Sequence, residues 1–213
     1  MKLPLSCILI VATSFATPTM GANRPWQQVQ RLAPYHAQCM VQRQRQPIRE
    51  WLGLLAGSKS EGKAFKKIMV DFSICFGSAN QDGWDYSFEP LAVREALISY
   101  LLEANWKNVP TSPPEKVEKG NWYSAAAMAE SGVTNSVMAY SVGLCVARFD
   151  WADSRALTQA RVGSNEEREL LGKLIAFLPP CIPPKLTLRM DRARLRAIIE
   201  ETVYHASVES IYA

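Results

Sequence analysis

GSNEERELLGKLIAFLPPC, from Gly163 to Cys181, restates a stretch the chain has already used: GSKSEGKAFKKIMVDFSIC, from Gly57 to Cys75. A shift of 106 residues carries Cys75 onto Cys181 and Cys39 onto Cys145. The same shift places Arg49 on Arg155, Gly57 on Gly163, Ser58 on Ser164, Glu61 on Glu167 and Lys67 on Lys173. The apolar set Phe65, Ile68, Met69 and Phe72 falls on Leu171, Leu174, Ile175 and Leu178. In both copies the spacing is i, i+3, i+4, i+7, which is one face of a helix. Cysteines, cap residues and period recur together, so the sequence reads as an internal duplication.

Each copy begins with a corner. Gly57 and Gly163 suit a helix C′ position, where a left-handed backbone is cheap without a Cβ. Ser58 and Ser164 follow as N-caps, with Glu61 and Glu167 three residues on, the spacing of a capping box. The first cysteine of each copy also lies on a helical stripe: Met138, Val142, Cys145, Phe149 in one, and Leu32, His36, Cys39, Arg43 in the other. Beyond the second cysteine the shift becomes 102. It matches Val93, Leu97, Leu101 and Ala104 to Leu195, Ile199, Val203 and Ala206, with Arg94 meeting Arg196. Pro90 suits the first turn of that helix in copy one, and Asp191 an N-cap in copy two. The weakest helical signals are at 48–56 and 154–161.

The expected architecture is therefore all-α, two homologous helical units spanning 23–107 and 121–213. Between them, 108–120 is rich in proline and charge and reads as a linker. Residues 1–22 have an early lysine, an apolar run from Leu5 to about Ala12, and small residues at the end, the layout of a signal peptide cleaved after Gly21 or Ala22. An uncleaved interfacial anchor is the alternative. Cys7 precedes most of the apolar run and does not fit a lipoprotein site. No later apolar stretch is long enough to span a bilayer.

Loss of residues 1–22 removes Cys7 and leaves Cys39, Cys75, Cys145 and Cys181. An even count in an exported chain reads as disulfides, placing the protein in the periplasm or outside the cell. Four cysteines allow three pairings. The repeat favours one bond within each unit, worth about 4 kcal/mol by chain entropy. The net charge of +4 includes Lys2, and the remainder is spread over both halves, which is no footprint for nucleic acid.

Chemistry is sparse. His36 corresponds to Val142 and lies one turn before Cys39, the place of a partly buried histidine beside a disulfide. His205 corresponds to Glu103 and reads as a surface residue, or as one helped by a helix C-terminus. Glu166 and Glu167 fall in a first helical turn, where acids favour the dipole. Glu200 and Glu201, among Arg192, Arg194 and Arg196, read as a solvated, salt-linked face. There is no CxxC, HExxH, calcium loop, GxSxG or phosphate-binding glycine loop, so no metal, cofactor or catalytic set is assigned. NQDGWDY, Asn80 to Tyr86, lies in a loop four residues longer in the first unit. Its Asp82, Trp84, Asp85 and Tyr86 form a candidate binding loop, although Asp-Gly is first of all a turn former. Trp26, Trp106, Trp122 and Tyr123 add aromatics outside the repeated helices, and the small-residue run in Asn121–Gly132 could pack against another helix.

The order Cys39, Cys75, Arg94, repeated as Cys145, Cys181, Arg196, resembles small uncharacterised exported helical proteins of Gram-negative bacteria. In these a Cys-bearing helix is followed by a second Cys and by a final helix with an Arg and aliphatic residues. The resemblance implies a helical fold and export, and no activity or site residues. The resulting expectation is a non-enzymatic interaction or structural protein of the cell envelope, with a protein or envelope component as partner. An exported envelope-acting hydrolase using carboxylates, with His205 or Asp82 and Asp85, is the alternative. A thiol-redox role would require free or exchanging cysteines.

Overall fold

The computed structural model describes residues 35–71, 75, 90–115, 117, 134–182 and 190–208. The segment 1–34 and the loop holding Asp82, Trp84, Asp85 and Tyr86 lie outside the described residues, as do Trp122 and Tyr123. Every regular element described is helical. In chain order these are α1 (35–43), α2 (Arg45–Leu52), α3 (Lys59–Asp71), α4 (Pro90–Ala104), α5 (Thr134–Phe149), α6 (Trp151–Leu157), α7 (Asn165–Ile175), α8 (Leu178–Cys181) and α9 (Arg192–Val203). A π-helical turn, Tyr204–Val208, continues α9. The weakly signalled stretches overlap the helices α2 and α6.

The cysteines pair as expected, Cys39 with Cys75 and Cys145 with Cys181, each across a separation of 36 residues. The corners also form. Gly57 and Gly163 take φ of 78° and 80°, the left-handed backbone that favours glycine. Ser58 Oγ accepts from the Glu61 N–H and Ser164 Oγ from the Glu167 N–H, both at 3.1 Å. One detail differs from a capping box. The returning glutamates accept from the glycine N–H, at 3.2 Å for Gly57 and 2.5 Å for Gly163, one residue earlier than the serine. The positive φ turns that glycine N–H toward the helix, so the carboxylate satisfies the corner as well as the cap. Asp150 and Asp191 cap α6 and α9 by accepting from the N–H groups of Asp153 and Arg194.

α9 occupies the centre, packing against α4, α5, α6 and α7. Its residues from Leu195 to Val203 are all buried, and burial continues through Val208. One apolar cluster runs through both halves, joining Trp51, Leu97 and Leu101 to Leu171, Ile199 and Val203. Each such side chain contributes about 1.5–3 kcal/mol by leaving water. Trp51 packs on Phe65 with ring centroids 5.3 Å apart. α5 packs tightly on α9 at Gly143, where a Cβ would lie 2.3 Å from Ile198 Cγ2.

The stretch read as a linker is tied down along its described residues. Val109 and Val117 are buried in the core. Trp151 Nε1 donates to the Pro110 carbonyl at 3.0 Å, and Arg155 Nε donates to that of Val109 at 3.2 Å. Arg155 also stacks its guanidinium 3.9 Å over the Trp106 ring, while Arg148 Nε donates to the Val117 carbonyl at 2.6 Å. Two arginines thus supply the hydrogen bonds that an irregular backbone lacks.

Candidate functional site

The charged residues that α9 carries into the interior form the one concentrated group of ionisable side chains among the described residues. Its first half centres on Arg94 of α4, which is 0% exposed. Arg94 Nε and Nη2 donate to Oε1 of Glu201 at 2.9 and 2.6 Å. The remaining donors reach the C-terminal end of α2, Nη1 to the Trp51 carbonyl at 3.2 Å and Nη2 to that of Leu52 at 2.5 Å. Those carbonyls end the helix, where a cation is favoured, and that of Trp51 also accepts from the Leu54 N–H. Glu61, already used at its own corner, places Oε1 4.0 Å from Arg94 Nη1. His205 Nε2 lies 3.5 Å from Glu201 Oε1, and the buried Tyr140 side chain is close enough to feel the Glu201 charge.

The second half repeats the theme. Arg196 Nε donates to Glu200 Oε1 at 2.7 Å and Nη1 to Glu167 Oε1 at 2.8 Å. In each half, then, the arginine of the last helix reaches the glutamate that closes the Gly-Ser corner. The two halves differ in the additional acid: Arg196 takes Glu200 from its own helix, whereas Arg94 takes Glu201 from the other half of the chain. Nearer the surface, Arg194 Nη1 lies 3.4 Å from Glu95 Oε1 and links the same two helices.

Two expectations are corrected here. Glu200 and Glu201 are not a solvated face; they are 4% and 3% exposed. His205 is not a surface residue; it is 1% exposed. The reason is the central position of α9, which from Leu195 onward leaves it no outward side, so its charges there are satisfied by partners rather than water. Thr202 and Ser207 obey the same constraint by donating to the Ile198 and Val203 carbonyls.

Burial sets the electrostatics. Desolvation pushes Glu200 up to about 7, against the opposing pull of Arg196. Burial would raise Glu201 too, but Arg94 and His205 reverse it and hold its carboxyl far below the usual range. Glu61 is raised by burial, with Arg94 and the Gly57 N–H opposing. Tyr140 is pushed well above 10 by burial and by the Glu201 charge. Consecutive carboxylates with opposite shifts could in principle serve as acid and base. Here both are enclosed and engaged by arginines, so the arrangement locks helices together.

The other candidate residues are dispersed. Cys39, Cys75, Cys145 and Cys181 are closed in two disulfides. His36 is partly buried and its Nδ1 lies 2.8 Å from the Cys75 carbonyl oxygen, beside the first disulfide as expected. Glu166 is exposed in the first turn of α7. Among the described residues, no three His, Cys, Asp or Glu side chains converge as metal ligands would, and no helix is long and apolar enough to cross a membrane. The buried cluster is what sequence reasoning missed. Its signal was present: Arg94 and Arg196, Glu61 and Glu167 stand at matched positions of the two halves, and a charge at the same place on two helix faces invites a pairing.

No protein-family model, curated protein or solved structure matches this chain.

Proposed function

We propose that this chain is an exported, non-enzymatic interaction or structural protein of the cell envelope, built by duplication of one disulfide-stapled helical unit. The observation that carries the reading is the pair of closed disulfides, each spanning 36 residues and each joining the first helix of a unit to the region after its third. Such bonds persist in oxidising compartments and are rare in the cytosol. The signal-like composition of residues 1–22 supports the same direction. The duplication is supported by the matched corners, matched disulfides and matched arginine–glutamate pairs.

A non-enzymatic role is supported by where the ionisable groups are used. Glu167, Glu200, Glu201 and His205, which a hydrolase could use, are spent on internal pairing. A rigid, stapled body with its charges locked inside is suited to presenting a surface.

The test is expression of the full chain in a Gram-negative host, followed by fractionation and non-reducing peptide mapping with free thiols alkylated beforehand. Recovery from the periplasm or medium is expected, with residues up to about Ala22 removed and both disulfides formed. Cytosolic recovery with free thiols would overturn the export reading. Envelope-degrading activity that disappears in D82N/D85N would replace the non-enzymatic reading with the hydrolase.

A further inference from the structure

The outward side of α3 carries Lys59, Lys63, Lys66 and Lys67, all exposed. At 100° per residue these four fall within an arc of about 100°, opposite the buried Glu61, Phe65 and Ile68. Val70 lies within the same arc and is 76% exposed, the most exposed large apolar side chain described. Among the described residues, no acidic side chain pairs with any of the four lysines. The matched positions of α7 hold Asn165, Glu169, Gly172, Lys173 and Ala176, which sum to no charge. Chains that share a core and corner geometry in both halves have thus diverged on this one face, from neutral to strongly cationic.

We propose that this face of α3 is a docking surface for an anionic phospholipid bilayer, with the four lysines against the headgroups and Val70 in line with them, just beyond Lys67. The inference rests on the envelope location proposed above and names the partner. Three features favour a lipid surface. The cations are lysines, compact charges that suit a diffuse negative plane, where arginine forks would suit fixed bidentate partners. They stand on one helix of 13 residues, about 20 Å long, which presents them along one side. The apolar side of α3 is committed to the core, so the contact is peripheral and electrostatic rather than an insertion.

Each lysine at such a surface strengthens binding by a factor of about five, so the four together amount to a factor on the order of several hundred. The experiment is co-sedimentation of the purified, oxidised protein with vesicles of phosphatidylcholine alone and with phosphatidylglycerol mixed in. K59Q/K63Q/K66Q/K67Q is compared with K107Q/R161Q/R168Q/R192Q, which removes the same charge from exposed positions elsewhere. Thermal melting checks that both variants remain folded. The expected result is binding to the mixed vesicles only, weakened by salt. The α3 variant loses it by about a hundredfold or more, and the control variant by less than about tenfold.

Equal losses in both variants would reduce the effect to net charge and overturn the proposal, as would equal binding to both vesicle types or to neither. Retention on immobilised polyglutamate through the α3 lysines, without vesicle binding, would also overturn it and identify an acidic polypeptide as the partner. Because the protein is purified in oxidised form, these outcomes are independent of the fractionation result, so failure of docking and failure of export are separable.

Discussion

Arg94 and Glu201 stand 107 residues apart in the chain and share a buried ion pair, with Nη2 of the arginine 2.6 Å from Oε1 of the glutamate. The same guanidinium closes the C-terminal end of α2, so one side chain joins three helices drawn from both halves. Removing it would leave Glu201 charged and enclosed. R94M is expected to lose about 3–5 kcal/mol in urea unfolding. R94M/E201L should recover much of that loss, because replacing a whole buried pair by apolar groups is often neutral or better. A double variant no more stable than R94M would mean that the α2 carbonyls, not Glu201, dominate the cost.

Glycines on helices separate cleanly by environment. A Cβ at Gly143 would meet Ile198 Cγ2 at 2.3 Å and Thr202 Oγ1 at 2.9 Å, so G143A forces α5 and α9 apart. The expected cost is about 1–3 kcal/mol. Gly172 lies within α7 with nothing within 4 Å of its would-be Cβ. G172A is expected to stabilise by about 0.5–1 kcal/mol through helix propensity. Melting temperatures moving in opposite directions would bear this out, and a shared direction would show that the α5–α9 contact can relax.

The helical class, the corners and the disulfide pairing were legible because each is a local or periodic property. Gly163, Ser164 and Glu167 announce a corner within five positions, and equal cysteine spacing announces a staple. The buried cluster was not legible in the same way. Glu200, Glu201 and Arg196 have the composition of a solvated helix face, and only the packing of α4, α5, α6 and α7 around α9 turns them inward. His205 was misread for the same reason. The candidate loop at Asp82 to Tyr86 lies outside the described residues, so the sequence remains the sole ground for it.

The corners also give a graded series. S164A removes the acceptor for the Glu167 N–H and should cost about 1 kcal/mol. E167A removes the bond to the Gly163 N–H and leaves Arg196 with Glu200 alone in a buried site, so it should cost distinctly more, about 3 kcal/mol. Equal costs in chemical denaturation would show that Glu167 acts only as a cap.

Each disulfide closes a span of 36 residues. C39A/C75A and C145A/C181A should therefore lose similar stability, about 4 kcal/mol each on the chain-entropy model. Since one core runs through both halves, unfolding of either variant should remain a single cooperative transition at all probes. Two separated transitions would show the halves folding independently.

Stability should fall as the solution becomes alkaline, because Glu200 holds its proton more tightly when folded than when unfolded. Its folded value of about 7 lies above the ordinary 4.5. The folded chain therefore binds more protons between those values, and its stability declines with rising pH there. The contribution is fully present below about 4.5 and is lost as pH passes about 7, with Glu61 raised in the same direction. Glu201 acts oppositely. Its carboxyl is held low, so its contribution is present above about 4.5 and lost on acidification. Together these place maximal stability near pH 5, with a fall on either side. For Glu200, a shift of this size corresponds to something on the order of 3 kcal/mol. E200Q, a neutral isostere facing the same Arg196 and Glu167, should match the native chain near pH 5 and exceed it at pH 8. Urea titrations at the two pH values decide the matter: an alkaline decline as steep in E200Q as in the native chain would exclude Glu200 as its source.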